Sequence, residues 1–322
     1  FRGSDLGVYR LHVGTYPRPL AVIPAGGPPA SVLDAKLVLS DGTERRSKIS
    51  LPSEPHERWG VSVEDDNGIA ASPNWVRVND LPVALEQEPN DDRTKAPSVP
   101  VPGAYCGVVE KPGDYDCFTF EAKKGTKYRV EVFARNLLRS PLDAVVNVFD
   151  PKHATLTSSD DSRGRIDPYL EFTAKVDGNH TVRIYDHLRG GGPYHAYRIE
   201  VTIPTPSVNL ALKELSRDQV QVISVPIGGS TAMVVSAVRD QYNGEVNLSL
   251  EGLPEGVTAT TFPIPPGRPE APVLLTASPE AKHNASLFTV YAKGDDKNPL
   301  VGGELSQRHK LVLGQNRRAM WG

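Results

Sequence analysis

The sequence predicts an all-β chain of tandem β-sandwich domains. Three observations point there: short segments alternate apolar and polar residues, turn-forming residues separate them about every ten positions, and helix-period patterns are scarce. Glycine (28) and proline (29) are abundant while methionine (2) is rare, a composition that favours short strands and tight turns over long helices. At 322 residues the chain is long enough for two or three domains.

Proline-rich stretches mark the boundaries. Asp80-Leu-Pro-Val-Ala-Leu-Glu-Gln-Glu-Pro-Asn90 and Ile203-Pro-Thr-Pro-Ser207 read as linkers, because X-Pro pairs favour extended backbone. They set off units at 14–84, 85–203 and 204–322. Ahead of these, Arg2-Gly-Ser-Asp-Leu-Gly-Val-Tyr-Arg-Leu-His-Val13 is similar to Arg189-Gly-Gly-Gly-Pro-Tyr-His-Ala-Tyr-Arg-Ile-Glu-Val201. Each reads as a glycine-bearing loop followed by a Tyr-Arg-aliphatic-X-Val strand. The second copy closes the middle unit, so residues 1–13 are read as the closing strand of an upstream copy. With Phe1 in place of an initiator Met, the chain is expected to be a piece of a longer modular protein.

Within the middle unit, Lys127-Tyr-Arg-Val-Glu-Val-Phe-Ala-Arg135 places Tyr128, Val130 and Val132 on one face. The segment from His180 to Asp186 does the same for Val182 and Ile184. In the last unit, Glu245-Val-Asn-Leu-Ser-Leu250 turns Val246, Leu248 and Leu250 inward. The two cysteines, Cys106 and Cys117, flank a segment with a central Pro-Gly turn that reads as a hairpin. Facing positions on such a pair can form a disulfide, which would indicate an oxidising, extracytoplasmic compartment. The other reading is two unrelated half-buried thiols. Arg189-Gly-Gly-Gly-Pro193 also reads as a hairpin loop.

Several function classes are excluded by what the sequence lacks. The 36 basic and 39 acidic residues give a net charge of −3, with no polybasic run interleaved with aromatics, so no nucleic-acid partner is expected. No apolar run approaches the length of a membrane span. Metalloprotease, nucleophile-elbow, phosphate-loop and Cys-X-X-Cys motifs are missing, so the chain is read as non-enzymatic. His153, His180, His187 and His195 show no metal-ligand spacing. Direct binding of a surface polymer would call for an exposed aromatic strip, and Tyr185, Tyr194 and Tyr197 form the best local cluster, though such tyrosines are more often core or strand-face residues.

Six motifs follow one another in order across residues 85–202: Glu86-Gln-Glu-Pro-Asn-Asp-Asp92, Gly113-Asp-Tyr-Asp-Cys-Phe-Thr-Phe120, Ser140-Pro-Leu-Asp143, Ser159-Asp-Asp-Ser-Arg-Gly164, Leu170-Glu-Phe-Thr-Ala174 and the closing Tyr197-Arg-Ile-Glu-Val201. Together they resemble the bacterial pre-peptidase C-terminal domain, a β-sandwich module attached to secreted peptidases and large surface proteins. Cys117 stands where that family usually has an aromatic residue. The Asp-Asp-Ser-Arg-Gly turn and the Tyr-Arg strand are similar to those of large exported proteins of planctomycete-type bacteria. On this resemblance the middle unit is a jelly-roll-like sandwich, and residues 1–13 end another copy of it. The flanking units resemble immunoglobulin-like modules, through Val225-Pro-Ile-Gly-Gly229 and Leu250-Glu-Gly-Leu-Pro-Glu-Gly-Val257 in one and Val22-Ile-Pro-Ala-Gly-Gly27 in the other.

The resemblance also implies a calcium ion. In collagen-binding members an acidic linker and an Asp pair build such a site, and the matching residues here are Glu86, Glu88, Asn90, Asp91, Asp114 and Asp116. Their alternation fits: Glu86, Glu88 and Asn90 point one way along an extended linker, and Asp114 and Asp116 alternate at a strand start. All offer the hard oxygen donors that calcium prefers. The same residues also read as ordinary solvated linker and turn positions. The expected role is thus a calcium-stabilised structural or adhesive module of a larger exported protein, at the cell surface, outside the cell or in the periplasm. Its expected partners are the other domains of that protein and a surface polymer or protein. The alternative is an accessory region of a secreted enzyme whose catalytic domain lies elsewhere.

Overall fold

The computed structural model describes residues 11–161, 165–212 and 221–306, and the backbone of 310–313 and 319–321. It is an all-β architecture of several β-sandwiches, and its one helix among the described residues is four residues long. Contacts divide the chain after Ile203, into a unit spanning Leu11–Ile203 and a second that begins at Pro204.

The first unit holds two sandwiches. In the earlier one, β1 (Pro19–Ile23), β3 (Val32–Leu39) and β4 (Glu44–Ser50) make one sheet, while β2 (Gly26–Gly27), β8 (Asn74–Val78) and β5 (His56–Val61) make the other. A small hairpin, β6 (Glu64–Asp65) and β7 (Gly68–Ile69), sits between β5 and β8. Val22, Leu33, Leu37 and Val61 meet Val76 and Val78 in its core.

The later sandwich is the larger. Its sheets run β15-β12-β17-β10-β9 and β11-β16-β13-β14, built from β9 (Val83–Leu85), β10 (Gly103–Val108), β11 (Asp116–Ala122), β12 (Lys127–Phe133), β13 (Ala144–Phe149), β14 (Thr155–Ser159), β15 (Tyr169–Thr173), β16 (Gly178–Asp186) and β17 (Ala196–Thr202). The helix α1 (Arg135–Leu138) follows β12. Alternate residues from both sheets interdigitate, with Tyr128, Val130 and Val132 opposing Phe118, Phe120, Val182 and Ile184. Burying each such side chain contributes about 1.5–3 kcal/mol.

Three sequence expectations meet a different answer here. The stretch 80–90 is more than a linker, since β9 adds to β10 in parallel. Cys106 and Cys117 do not lie on a hairpin: β10 pairs with β17 and β9, whereas β11 pairs with β16 in the opposite sheet. Both thiols are buried and free. Tyr105 of β10 and Phe118 of β11 meet in the core, so by strand alternation Cys106 and Cys117 turn to opposite outer faces of the sandwich. A sandwich core is about 10 Å thick, which no disulfide spans. Likewise 189–193 joins β16 to β17, again across the two sheets, and is not a hairpin loop.

The two sandwiches share a buried face. Ala21, Ile23 and Val38 pack against Val108 and Ala196. Beside them the Arg77 Nε donates to Glu200 Oε1 at 2.9 Å, the Asn79 Nδ2 to the same oxygen at 2.8 Å, and Arg198 Nε at 2.8 Å. Arg198 is fully buried.

In the second unit, β18 (Ser207–Leu212), β19 (Ser230–Asp240), β22 (Glu270–Ala277) and β21 (Val257–Thr261) face β20 (Asn247–Glu251), β23 (Thr289–Lys293) and β24 (Gly302–Glu304). Val208, Met233, Val235 and Val273 meet Val246, Leu248 and Val290 between them. A separate pair, β25 (Lys310–Leu313) and β26 (Ala319–Trp321), follows. Residues 1–10 of the expected upstream strand lie outside the described residues, and Leu11 and Val13 after them are exposed and in no strand. Residues 162–164 of the Asp-Asp-Ser-Arg-Gly motif are likewise outside them.

Candidate metal centre

The acidic residues gather where the linker crosses from one sheet edge to the other. Up to Glu86 the chain follows β10, and the Glu86 N–H donates to the Cys106 carbonyl at 3.0 Å. From Asn90 on it follows β11 instead: the Cys117 N–H donates to the Asn90 carbonyl at 3.2 Å, and the Val99 N–H to Thr119 at 2.8 Å. Glu86, Glu88 and Asn90 therefore sit over the corner at which β11 begins with Asp116.

One carboxylate oxygen from each of Glu86, Glu88 and Asp116 lies within 4.8 Å of the other two. Glu86 is held from both sides, its Oε1 accepting from the Val108 N–H at 2.6 Å and its Oε2 from the Tyr197 hydroxyl at 3.0 Å. Gly107 makes room for it, because a Cβ there would stand 2.1 Å from the Glu86 carboxylate and 2.4 Å from the Tyr197 oxygen. Asp116 is wholly buried and neither carboxylate oxygen has a hydrogen-bond partner. Asn90, 2% exposed, has an amide whose oxygen and nitrogen are equally unpartnered, while its N–H donates to Glu88 Oε2 at 3.1 Å.

The other two candidates differ from each other. Asp114 is buried, with Oδ2 accepting from the Glu110 N–H at 2.7 Å and Oδ1 lying 3.5 Å from the Lys111 ammonium. Asp91 is exposed and outside the triad, and its Oδ1 accepts from the Tyr115 N–H at 3.3 Å. The structure thus brings Glu86, Glu88 and Asp116 together, sets Asn90 and Asp114 beside them, and leaves Asp91 on the rim. Sequence reasoning missed Gly107 and Tyr197. The sequence groups Tyr197 with Tyr185 and Tyr194, yet the three do not cluster: Tyr197 reaches Glu86, and the Tyr194 hydroxyl donates to the Leu39 carbonyl at 3.3 Å.

Burial drives the electrostatics. It pushes the Asp116 carboxyl well above the carboxylate range, and the Glu86 charge pushes further. Glu86 rises too, chiefly from burial, with the Val108 N–H and Tyr197 hydroxyl working against the rise. Glu88 is raised by burial, then by the Asp114, Asp91 and Glu110 charges. Two like charges at about 4 Å repel by about 4 kcal/mol at an effective dielectric constant of about 20. The cluster runs from the buried Asp116 through the half-buried Glu86 to the exposed Glu88, with neither sulfur nor imidazole in it. Both Asp116 oxygens and the Asn90 amide oxygen lack a donor, and such a set of oxygens fits a hard divalent cation such as calcium. Among the described residues the histidines build no comparable group.

Residues 114–186 match the family model of the bacterial pre-peptidase C-terminal domain. No curated protein matches the sequence. Among solved structures, the pre-peptidase C-terminal domain of a collagenase from Bacillus anthracis is similar at 16% identity, over 36% of this chain and 100% of its own, with a TM-score of 0.28. PliG of Salmonella Typhimurium, a periplasmic lysozyme inhibitor of g-type lysozyme, is similar at 21% identity over 34% and 99%, with a TM-score of 0.24. The M60 catalytic domain with the CBM51-1 and CBM51-2 domains from Clostridium perfringens ZmpB is similar at 9% identity over 91% and 38%, with a TM-score of 0.23. No helix among the described residues is long and apolar enough to cross a membrane.

Proposed function

We propose that the chain is a non-catalytic structural or adhesive region of a larger exported or cell-surface protein, with a calcium ion stabilising its central sandwich. Glu86, Glu88 and Asp116 would supply the carboxylates, and Asn90 and Asp114 further oxygens. One observation supports this above the rest: the Asp116 carboxylate is fully buried and makes no hydrogen bond in good geometry, with only the Tyr197 hydroxyl near enough to favour its charge. That arrangement costs several kcal/mol unless a cation or a proton neutralises it. When bound, calcium would tie the linker to both sheet edges. The flanking sandwiches, read as immunoglobulin-like modules, would serve as spacers, and the two free thiols give no support for an oxidising compartment.

A ligand that binds only the folded state stabilises it by about 2.7 kcal/mol at a hundred times its dissociation constant. Thermal unfolding of the whole chain should therefore show a midpoint several degrees higher in millimolar calcium than in chelator. Asp116→Asn should abolish that rise. A wild-type midpoint indifferent to calcium would sink the metal assignment. A second reading, an accessory region of a secreted peptidase, draws on the family matched by residues 114–186. A peptidase domain encoded in the same open reading frame would favour it.

A further inference from the structure

The outer face of the β11-β16-β13-β14 sheet carries a row of arginines interleaved with aromatic rings. Arg93 and Arg183 lie 4.7 and 5.0 Å from the centre of the Phe149 ring. Arg183 also lies 4.8 Å from Tyr115 and 5.6 Å from Tyr185, and Arg189 lies 5.3 Å from each. The two tyrosine rings are themselves 5.3 Å apart. Their placement follows from strand alternation. Arg183 stands across from Cys117 and Asn147, on the side of the sheet away from the core, and Tyr185 two residues on shares that side. Tyr115 precedes β11 and lies outward between two inward aspartates.

None of these three arginines has a carboxylate ion pair among the described residues, although the chain has more acidic than basic residues. They are held by neutral groups instead. Arg183 Nε and Nη2 donate to Asn147 Oδ1 at 3.2 and 2.8 Å, and Arg189 donates to the Tyr115 hydroxyl. Ring stacking and these bonds fix the guanidinium planes before any ligand arrives, which removes part of the ordering cost of binding. A fixed guanidinium is a bidentate receptor for carboxylates.

A row of three such receptors along a sheet face suits a chain of repeating anions better than one small anion. Nucleic acid fits poorly, because affinity for its densely charged backbone comes mostly from many phosphate contacts by a strongly basic surface, and this chain carries a net charge of −3. We infer that this face binds an acidic polysaccharide, with Arg93, Arg183 and Arg189 taking its carboxylates. The inference goes beyond the metal assignment and does not depend on it.

Titration calorimetry of the whole chain at fixed calcium, with hyaluronan as the carboxylate polymer, tests it. Neutral dextran and single-stranded poly(dT) serve as the comparison polymers. Saturable hyaluronan binding that weakens with salt, is absent for dextran, and falls about tenfold or more in R183Q/R189Q at an unchanged melting temperature is the expected result. The single R189Q variant, at an exposed position, keeps the test open if the double variant fails to fold. Wild type that does not bind hyaluronan, binding that the arginine variants leave intact, or stronger binding to poly(dT) would each overturn the inference.

Discussion

The Asp116 and Glu86 carboxyls connect proton and metal binding at single residues. Folding raises both above their unfolded values, so without a cation the folded state holds protons more tightly than the unfolded chain does. The stability this brings is full in acid, below the ordinary carboxylate range, and is lost as the pH rises through neutrality. In chelator the melting temperature should therefore fall between about pH 5 and pH 8, and calcium should flatten the decline. Asp116→Asn should raise stability in chelator near pH 8 by about 1–3 kcal/mol, by removing a buried charge. A chelator profile flat across that range would refute the raised pair. Glu86, Glu88 and Asp116 were legible through the resemblance, while alternation on extended backbone accounts only for Glu86 and Glu88 sharing a side. Gly107 was not, because what a missing side chain admits depends on a linker twenty residues away in sequence. Asp91 differs for a related reason: composition shows an acidic residue but not that it stands exposed at the rim with its Oδ1 accepting from the Tyr115 N–H.

At the scale of elements, the strands were readable and their partners were not. The residues that alternation assigns inward are buried on β12, on β16 and at Val246 and Leu248, and Leu250 packs half-buried against the same core as the last two. Alternation is silent, however, on whether a turn folds a strand back beside its neighbour or carries it to the facing sheet. The Pro-Gly segment between β10 and β11 does the latter, and the disulfide expectation falls with it. The short α1 shows how a buried polar group can organise an element that no periodicity announces. Asp167, from beyond the helix, accepts from the N–H groups of Ala134, Arg135 and Asn136 at 2.9–3.0 Å. Burial nevertheless lifts its carboxyl above the usual value, the three donors only partly offsetting it. Asp167→Ala would leave those donors without their acceptor and should cost about 1–3 kcal/mol in denaturant unfolding. A loss below about 0.5 kcal/mol would mean that water replaces the carboxylate.

At the scale of the molecule, residues 11–203 are expected to unfold together. The face shared by the two sandwiches buries Val108, Ala196 and Arg198, and Glu200 is held ionised below its usual value because Arg198 and Arg77 outweigh the effect of burial. Removing one partner from such a buried pair costs about 3–5 kcal/mol, so Glu200→Ala should lower the stability of both sandwiches at once. Calorimetry of residues 11–203 should show one transition, and two well-separated peaks would contradict this. The sequence reading sets a boundary near residue 84, where the chain passes from the β8 strand of the earlier sandwich to β9 of the later one. It could not disclose that the boundary is glued, since Arg77 and Glu200 are more than a hundred residues apart.

That glue also sets where tension would run. Val83 pairs with Ala104, and Gly103 with Val201, so the chain enters and leaves the central sandwich at the same end of one sheet. At that end, Arg77 and Asn79 on the incoming side are bonded to Glu200, two residues inside the outgoing end of β17. A pull between the first sandwich and the chain after Ile203 meets this clasp within the last three residues of β17, ahead of the rest of that strand's pairing. While the clasp holds, all but the end of β17 hangs beside the load path like a bracket on a taut cable, and the acidic corner and the arginine face sit away from the strain.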